Sequence, residues 1–433
     1  MRLPFFYGWI VVAVVFVTMG IGVNARTAFS LLYPPILGEF GWDHGVVAGA
    51  FSFGFVAAAA MSPTIGWLMD RRGPRAVLEL GVVMTGAGLV LASYVSQPWH
   101  LYATLGVLVG GGSTCLGYTG HSLFLPNWFV RRRGLAISLA FAGVGIGSIV
   151  LLPWMQAFMD RTDWRTASWV LGIFLLVVLV PLNLLHWKRP EDIGLHPDGD
   201  AHNPAQRAAA QAANVVDPGW VAVEWTLARA LRTARFWWIA LGYFGGLYAW
   251  YAVQVHQTKY LTGIGFGTAD AALALGVVSL VGIPGQIALG WLSDRIGREW
   301  VWSAGCLGFV ICYLALIALE HMPTVFMLYA MVVAQGALGY GLTSVMAAIA
   351  AEIFQGPHYG RIFGILMVVM LGGGALGPWV TGILHDATGG YAAGFWIACG
   401  LSVVSAGAIW MAAPRKVRAV AGQVHRIAGS KPA

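Results

Sequence analysis

The sequence predicts an all-α membrane protein of twelve transmembrane helices, arranged as two pseudo-symmetric six-helix bundles that enclose one solute pathway. Three observations carry this expectation. Apolar stretches of about twenty residues recur along nearly the whole chain, one long polar segment divides them six and six, and a Gly–Asp–Arg motif stands at matching places in both halves.

Of the 433 residues, 58% are hydrophobic and only 10% charged, with 58 Gly and 20 Trp. A water-soluble domain of that balance would expose large apolar patches, so the solvent is lipid. In lipid each apolar stretch must be a helix, because no water satisfies its backbone groups. The spans are 8–33, 46–69, 76–96, 101–125, 134–157, 166–187, 236–260, 268–291, 300–319, 324–350, 362–384 and 391–412. The first lacks a basic leader region and a small-residue cleavage site, and is expected to be retained. Cys115, Cys306, Cys312 and Cys399 fall inside spans without ligand spacing, so neither a disulfide framework nor a metal site is indicated, and no cofactor is expected.

The net charge of +7 sorts by loop. Arg71, Arg72 and Arg75, then Arg131 to Arg133, Lys188 to Arg235, Arg295 with Arg298, Arg361, and Arg415 to Lys431 all fall in even-numbered connections or the tail. Odd-numbered connections carry almost no Lys or Arg beyond Arg161, Arg165 and Lys259. The bias places both termini in the cytoplasm of a bacterial cell whose inner membrane the chain spans. The expected organisation is an N-terminal bundle over 1–187, a cytoplasmic central loop over 188–235, a C-terminal bundle over 236–414 and a basic tail over 415–433. The tail is read as attracted to anionic lipid headgroups, not to nucleic acid. The chain is expected as a monomer.

The repeat is Gly66-Trp-Leu-Met-Asp70-Arg71-Arg-Gly73-Pro-Arg75, answered by Gly290-Trp-Leu-Ser-Asp294-Arg295-Ile-Gly297-Arg298. A glycine lets two helices approach closely, and an Asp followed by Arg at a helix end can clamp the neighbouring helix end, so the motif reads as a gating latch. A single copy could be a mere polar turn, but two at equivalent positions argue against that.

The duplicated Gly-x-x-x-Asp-Arg-x-Gly loop resembles the signature of the major facilitator superfamily, which implies the major facilitator fold. Trp128-Phe129 leading into Arg132-Arg133-Gly134, Arg189-Pro190-Glu191-Asp192-Ile-Gly194, and Tyr359-Gly360-Arg361-Ile-Phe-Gly364 running to Gly377-Pro378 resemble its monocarboxylate-transporter-like branch and the related oxalate/formate antiporters. The resemblance implies a carboxylate substrate.

An ionisable group in mid-membrane needs a partner or a role. Arg26 lies about 12 Å inside the first helix, beside Asn24 and on one face with Ser30. It could snorkel outward, but a guanidinium offers two parallel donors to a carboxylate, which suits a small organic anion. Tyr118 and His121 extend a polar stripe from Thr114 in the fourth helix. Tyr248, Tyr251, Gln254, His256, Gln257 and Lys259 crowd the outer half of the seventh, the first four being the site candidates, and Tyr340 interrupts the tenth. The histidines could be packed structurally or carry a proton.

All acidic residues fall at span ends or in loops, which leaves the pathway net positive. Proton-coupled carriers of the resembled branch hold an Asp-Arg pair in the eighth helix. Here that segment reads Ala-Leu-Gly276-Val-Val-Ser279-Leu-Val-Gly-Ile-Pro284, which excludes symport through such a pair. The eleventh helix lacks the basic residue of the oxalate/formate relatives, which counts against dicarboxylate exchange. The expectation is therefore a secondary active transporter of small organic anions, of the lactate or pyruvate type, working by alternating access with a proton as candidate partner. Export of apolar or aromatic compounds and carboxylate antiport are the alternatives. A membrane sensor would need an output domain, and an intramembrane enzyme a nucleophile–base pair or metal ligands; the sequence offers neither.

Overall fold

The computed structural model describes residues 5–199, 213–322 and 324–424. The Ala/Gln run of the central loop and residues 425–433 of the basic tail lie outside the described residues. Helices follow the expected spans in order. The first is Gly8–Thr27, continued after Ala28 by Phe29–Phe40. The second and third are fused as His44–Ala92, with Gly73 (φ 76°, ψ −174°) making the turn between them. The fifth is Arg133–Phe141 with Gly143–Met159 and the sixth Trp164–Asn183. The later ones are Ala234–Gly263, Thr268–Ile296, Arg298–His321, Tyr359–Thr388 and Ala392–Ala412.

The fourth and tenth helices depart from regularity in the same way. The fourth runs as Pro98–Leu101, a π-helical Tyr102–Gly111, Gly112–Leu116 and, after a break at Gly117, Tyr118–Ser122. The tenth runs as Val325–Val333, a π-helical Ala334–Gly339 and Gly341–Phe354. Wider π-turns of this kind mark functional positions, and their recurrence extends the internal repeat from sequence to geometry. Nine helical segments among the described residues are individually long and apolar enough to cross a bilayer. The number is below twelve because the second and third helices are continuous, the fourth is broken, and polar side chains lower the hydropathy of the seventh.

Outside the helices the described residues hold one isolated antiparallel bridge, Val215 with Arg418. Around it Val216 donates its N–H to Val417 O (3.0 Å) and Ala419 to Asn214 O (2.7 Å). The first part of the tail is therefore docked on protein, with Val417 and Val420 buried and the Arg415 N–H donating to Glu299 Oε1 at 2.9 Å.

The chain forms two compact units. One gathers the described residues of Met1–Phe129, Leu139–Gly199 and Tyr359–Ile365; the other gathers those of Val130–Ser138, Asp200–His358 and Leu366–Ala433. Each thus includes a short segment from the opposite half of the sequence. In the first unit the first and fifth helices meet through glycine. A Cβ on Gly143 would stand 2.1 Å from Phe16 O, and one on Gly147 would stand 2.2 Å from Gly20 O. Backbone-to-backbone approach of this kind supplies the van der Waals contact that holds helices together where lipid offers no hydrophobic drive. Elsewhere in the same unit Arg165 ties three elements together, with NH2 on Glu39 Oε1 (2.7 Å) and NH1 on Ser93 O (2.6 Å). Gly147→Val should wedge the first and fifth helices apart at a cost of about 1–3 kcal/mol, read as a lowered thermal unfolding midpoint in detergent.

Candidate functional site: a deep arginine and two carboxylate latches

Arg26 is half-buried in the first unit, with its guanidinium 3.9 Å from the Phe55 ring centroid and 5.2 Å from that of Phe51. Phe51 in turn stacks on Phe29 (5.3 Å, 27°) and meets Phe55 edge-on (5.6 Å). The sequence provides this cradle by setting Phe51 and Phe55 four apart on one helical face. Gly54 lies between them, where a Cβ would come within 3.4 Å of Gly110 Cα and 4.0 Å of Arg26 NH2. Rings beneath the planar face fix the guanidinium's orientation while its edges carry the donors. A hollow of about 330 Å³ adjoins, lined by Thr27, Phe29, Ser30, Tyr33 and Phe51. The hydroxyls of Thr27 and Ser30 donate to the backbone, at Val23 O (3.2 Å) and Thr27 O (2.9 Å).

Asn24 is engaged with the backbone of two helices. Its Nδ2 donates to Gly20 O (2.8 Å) and Val144 O (2.9 Å), which occupies both amide protons. It braces the first helix on the fifth two residues before Arg26 and so positions the arginine. The break at Gly117 separates Thr114 from Tyr118, so the polar stripe read from the sequence is not continuous. Tyr118 meets the Phe141 ring edge-on at 5.1 Å. His121 is fully buried, its Nδ1–H donating to Gly117 O at 3.0 Å, a tautomer assigned because a carbonyl only accepts.

The remaining candidates belong to the second unit. Tyr248 is buried with its carbonyl against Gly377, and the half-buried Tyr251 ring packs on Gly374. Gln254 is half-buried. His256 Nε2–H donates to Pro378 O (2.9 Å), joining the seventh helix to the eleventh. Tyr340 ends the π-helical turn of the tenth and meets Trp250 at 4.6 Å. Gln257, absent from the expected site, is fully buried with both amide atoms lacking a hydrogen bond among the described residues. It belongs to the polar cluster of the seventh helix, and its burial follows from the fold.

The two motif copies do the same thing to a helix end. In the first unit, Asp70 Oδ1 accepts the Gly360 N–H (3.0 Å) and Oδ2 the Arg361 N–H (3.1 Å), capping the helix Tyr359–Thr388. In the second, Asp294 Oδ1 accepts the Gly134 N–H (2.9 Å) and Oδ2 the Leu135 N–H (3.0 Å), at the start of the fifth helix. A carboxylate at a helix N-terminus satisfies orphan donors and complements the helix dipole. The motif glycines make room for it: a Cβ on Gly66 would lie 2.0 Å from Gly360 O, and one on Gly290 2.6 Å from Gly134 O. Gly73 and Gly297 (φ 76° and 112°) form the tight turns that follow. The arginines after each Asp stand outside the clamp, stacked one turn back on tryptophan: Arg71 on Trp67 (4.7 Å) and Arg295 on Trp291 (3.6 Å).

Beyond the cap the copies differ. Arg298 NH1 bonds Asp294 Oδ1 (2.7 Å) and its Nε bonds Glu352 Oε1 (2.9 Å), while Arg133 NH1 lies 3.8 Å from the same oxygen. All four charges are buried. In the first unit Arg75 points instead to His186 O (2.9 Å) with its guanidinium over Trp187 (3.9 Å), and Lys188 Nζ donates to Asp70 O (2.9 Å).

This duplicated architecture agrees with a family model, that of the Major Facilitator Superfamily, which matches residues 9–322 and 272–432. The chain belongs to the Major Facilitator Superfamily. It is accordingly a multi-pass membrane protein and a secondary transporter, not an enzyme. Among its superfamily relatives, monocarboxylate transporter 13 of Bos taurus is 28% identical over 414 residues, covering 93% of this chain and 88% of the relative. Monocarboxylate transporter 11 of Mus musculus is 29% identical over 429 residues, covering 94% and 88%. Among solved structures, the proton:xylose symporter XylE bound to 6-bromo-6-deoxy-D-glucose matches with a TM-score of 0.76 at 15% identity, over 94% of this chain and 95% of that one. The Escherichia coli fucose:proton symporter FucP matches at 0.68 and 15%, over 94% and 100%. At these identities the structures speak for the superfamily fold alone.

The difference between the latches has a measurable consequence. Asp294→Ala leaves the buried Arg133, Arg298 and Glu352 with one uncompensated positive charge and should cost about 3–5 kcal/mol, whereas Asp70→Ala loses a cap worth about 1–2 kcal/mol. Thermal unfolding in detergent should rank the first variant well below the second.

Proposed function

We propose that this superfamily member carries small monocarboxylates of the lactate or pyruvate type across the membrane by alternating access, with a proton as co-substrate and Arg26 as the anion anchor. The observation that carries the reading is a half-buried guanidinium within an apolar helix, its face over Phe51 and Phe55, a group whose planar fork suits a carboxylate. The names of the relatives, monocarboxylate transporters 11 and 13, support the substrate class. The loop distribution of Lys and Arg supports cytoplasmic termini in a bacterial inner membrane, and the chain is proposed to work as a monomer. Of the other candidates, Tyr118, Tyr248, Tyr251, Gln254 and Tyr340 are proposed to line the substrate's path. Asn24 and His256 act through the helices they brace.

One observation favours the alternative of moving apolar or aromatic compounds: the hollow beside Arg26 is lined by Phe29, Tyr33 and Phe51. Proteoliposome uptake separates the readings. Labelled lactate should enter wild-type vesicles faster with an inward proton gradient. Arg26→Ala should cut that uptake about 10- to 100-fold, the value of one or two charge-assisted hydrogen bonds, and Arg26→Lys should recover part of it because charge returns without the fork. Transport of an uncharged aromatic compound with equal rates in wild type and Arg26→Ala would favour the alternative.

A further inference from the structure

Five side-chain atoms without a hydrogen-bond partner among the described residues gather around two histidines of the first unit: His121 Nε2, Ser122 Oγ, Asn183 Nδ2 and both ring nitrogens of His186. All four residues are 0% exposed. The imidazoles of His121 and His186 meet edge to face with centroids 6.1 Å apart, closed on one side by Phe124, 5.0 Å from His186. Asn183 lies one turn before His186, whose N–H donates to Asn183 O (3.1 Å), and its Oδ1 accepts from Thr18 in the first helix (2.9 Å). Buried polar atoms are almost always paired, so a cluster of unpaired ones implies a ligand that bonds through hydrogen. Imidazole is the side chain built to take and return a proton near neutral pH.

The cluster is wired to the Asp70 latch by three hydrogen bonds. Arg75 Nε donates to the His186 carbonyl (2.9 Å). Lys188, two residues later, donates from Nζ to Asp70 O (2.9 Å). Tyr359, immediately before the amides that Asp70 caps, donates its hydroxyl to the carbonyl of Ser122 (3.4 Å). Tyr7, whose hydroxyl donates to Leu185 O (2.9 Å), closes the same side, and Glu79 follows Arg75 one helical turn on.

We infer that His121 and His186 form the proton-binding site of the transport cycle, and that a proton on the pair releases the Asp70 latch. A proton from the aqueous phase adds to an imidazole nitrogen lone pair and later leaves that nitrogen for the opposite phase; no other bond forms or breaks. One proton per monocarboxylate makes the cycle electroneutral, and no Asp-Arg pair in the eighth helix is needed. His186 lies beyond the end of the sixth helix at Asn183. Burial first, then the neighbouring His121 and Arg75, hold its imidazole well below the ordinary value. The neutral pair therefore favours the latched arrangement at pH above about 6.5, and the latch weakens as pH falls below it, because the proton binds better where the pair is opened to water.

The inference rests on the proposed carboxylate transport for its substrate, but its proton readout is independent of it. In proteoliposomes, wild-type lactate uptake should be stimulated by an inward proton gradient, and the stimulation ratio should fall to about one in His186→Gln and His121→Gln; an undiminished ratio in both variants overturns the proposal. Independently, hydrogen exchange of the 359–365 segment in detergent, corrected for intrinsic rates, should rise at least several-fold in wild type between pH 7.5 and 5.5. The variants should not show that rise. Exchange that ignores pH in wild type, or responds equally in the variants, overturns the proposal and is readable even if a variant folds poorly. Should wild type carry no lactate while the exchange response behaves as stated, the carboxylate reading falls and the proton site stands.

Discussion

A helix that ends buried against protein leaves backbone N–H groups that water does not reach, and this constraint organises the rest of the structure. The chain answers it with carboxylates. Asp70 takes the amides of Gly360 and Arg361, and Asp294 those of Gly134 and Leu135. The glycines of each motif exist to bring a helix end within reach of an acid: Gly66 and Gly290 sit where any side chain would collide with backbone. Each compact unit consequently includes a short segment from the other half of the sequence, Tyr359–Ile365 in one and Val130–Ser138 in the other.

The same cap is embedded in two kinds of chemistry. Around Asp294, Arg298, Glu352 and Arg133 form a buried ionic network, which is costly to disrupt from either side because any stranded charge stays out of water. Around Asp70 the arginine at the corresponding position, Arg75, turns to a carbonyl and an indole, and two histidines stand behind it. Duplication supplies the frame, and divergence at a few side chains gives one latch a response to protons that the other lacks.

Arg26 shows how an apolar helix tolerates a charge. The guanidinium rests on Phe51 and Phe55, and Asn24 pins the helix two residues away. The aromatic content of the chain, visible as bulk hydrophobicity in its composition, is thus partly a support for the arginine of the first helix.

The sequence by itself determined the helical spans and the two places of the repeated motif, because each rests on a short-range pattern: twenty apolar residues and a recurring Gly–Asp–Arg run. Asn24 was visible as a polar residue in the first helix, but that both its protons go to carbonyls depends on Val144, 120 residues away. The stripe from Thr114 to His121 read as one face until Gly117 broke the helix, an event decided by packing. His186 carried no signal at all, since a histidine at a helix end is ordinary until Asn183, Ser122 and His121 are seen around it. Periodicity fixes what lies along one helix; which side chains share a buried space is decided by how helices distant in sequence come together, and only the tertiary structure holds that information.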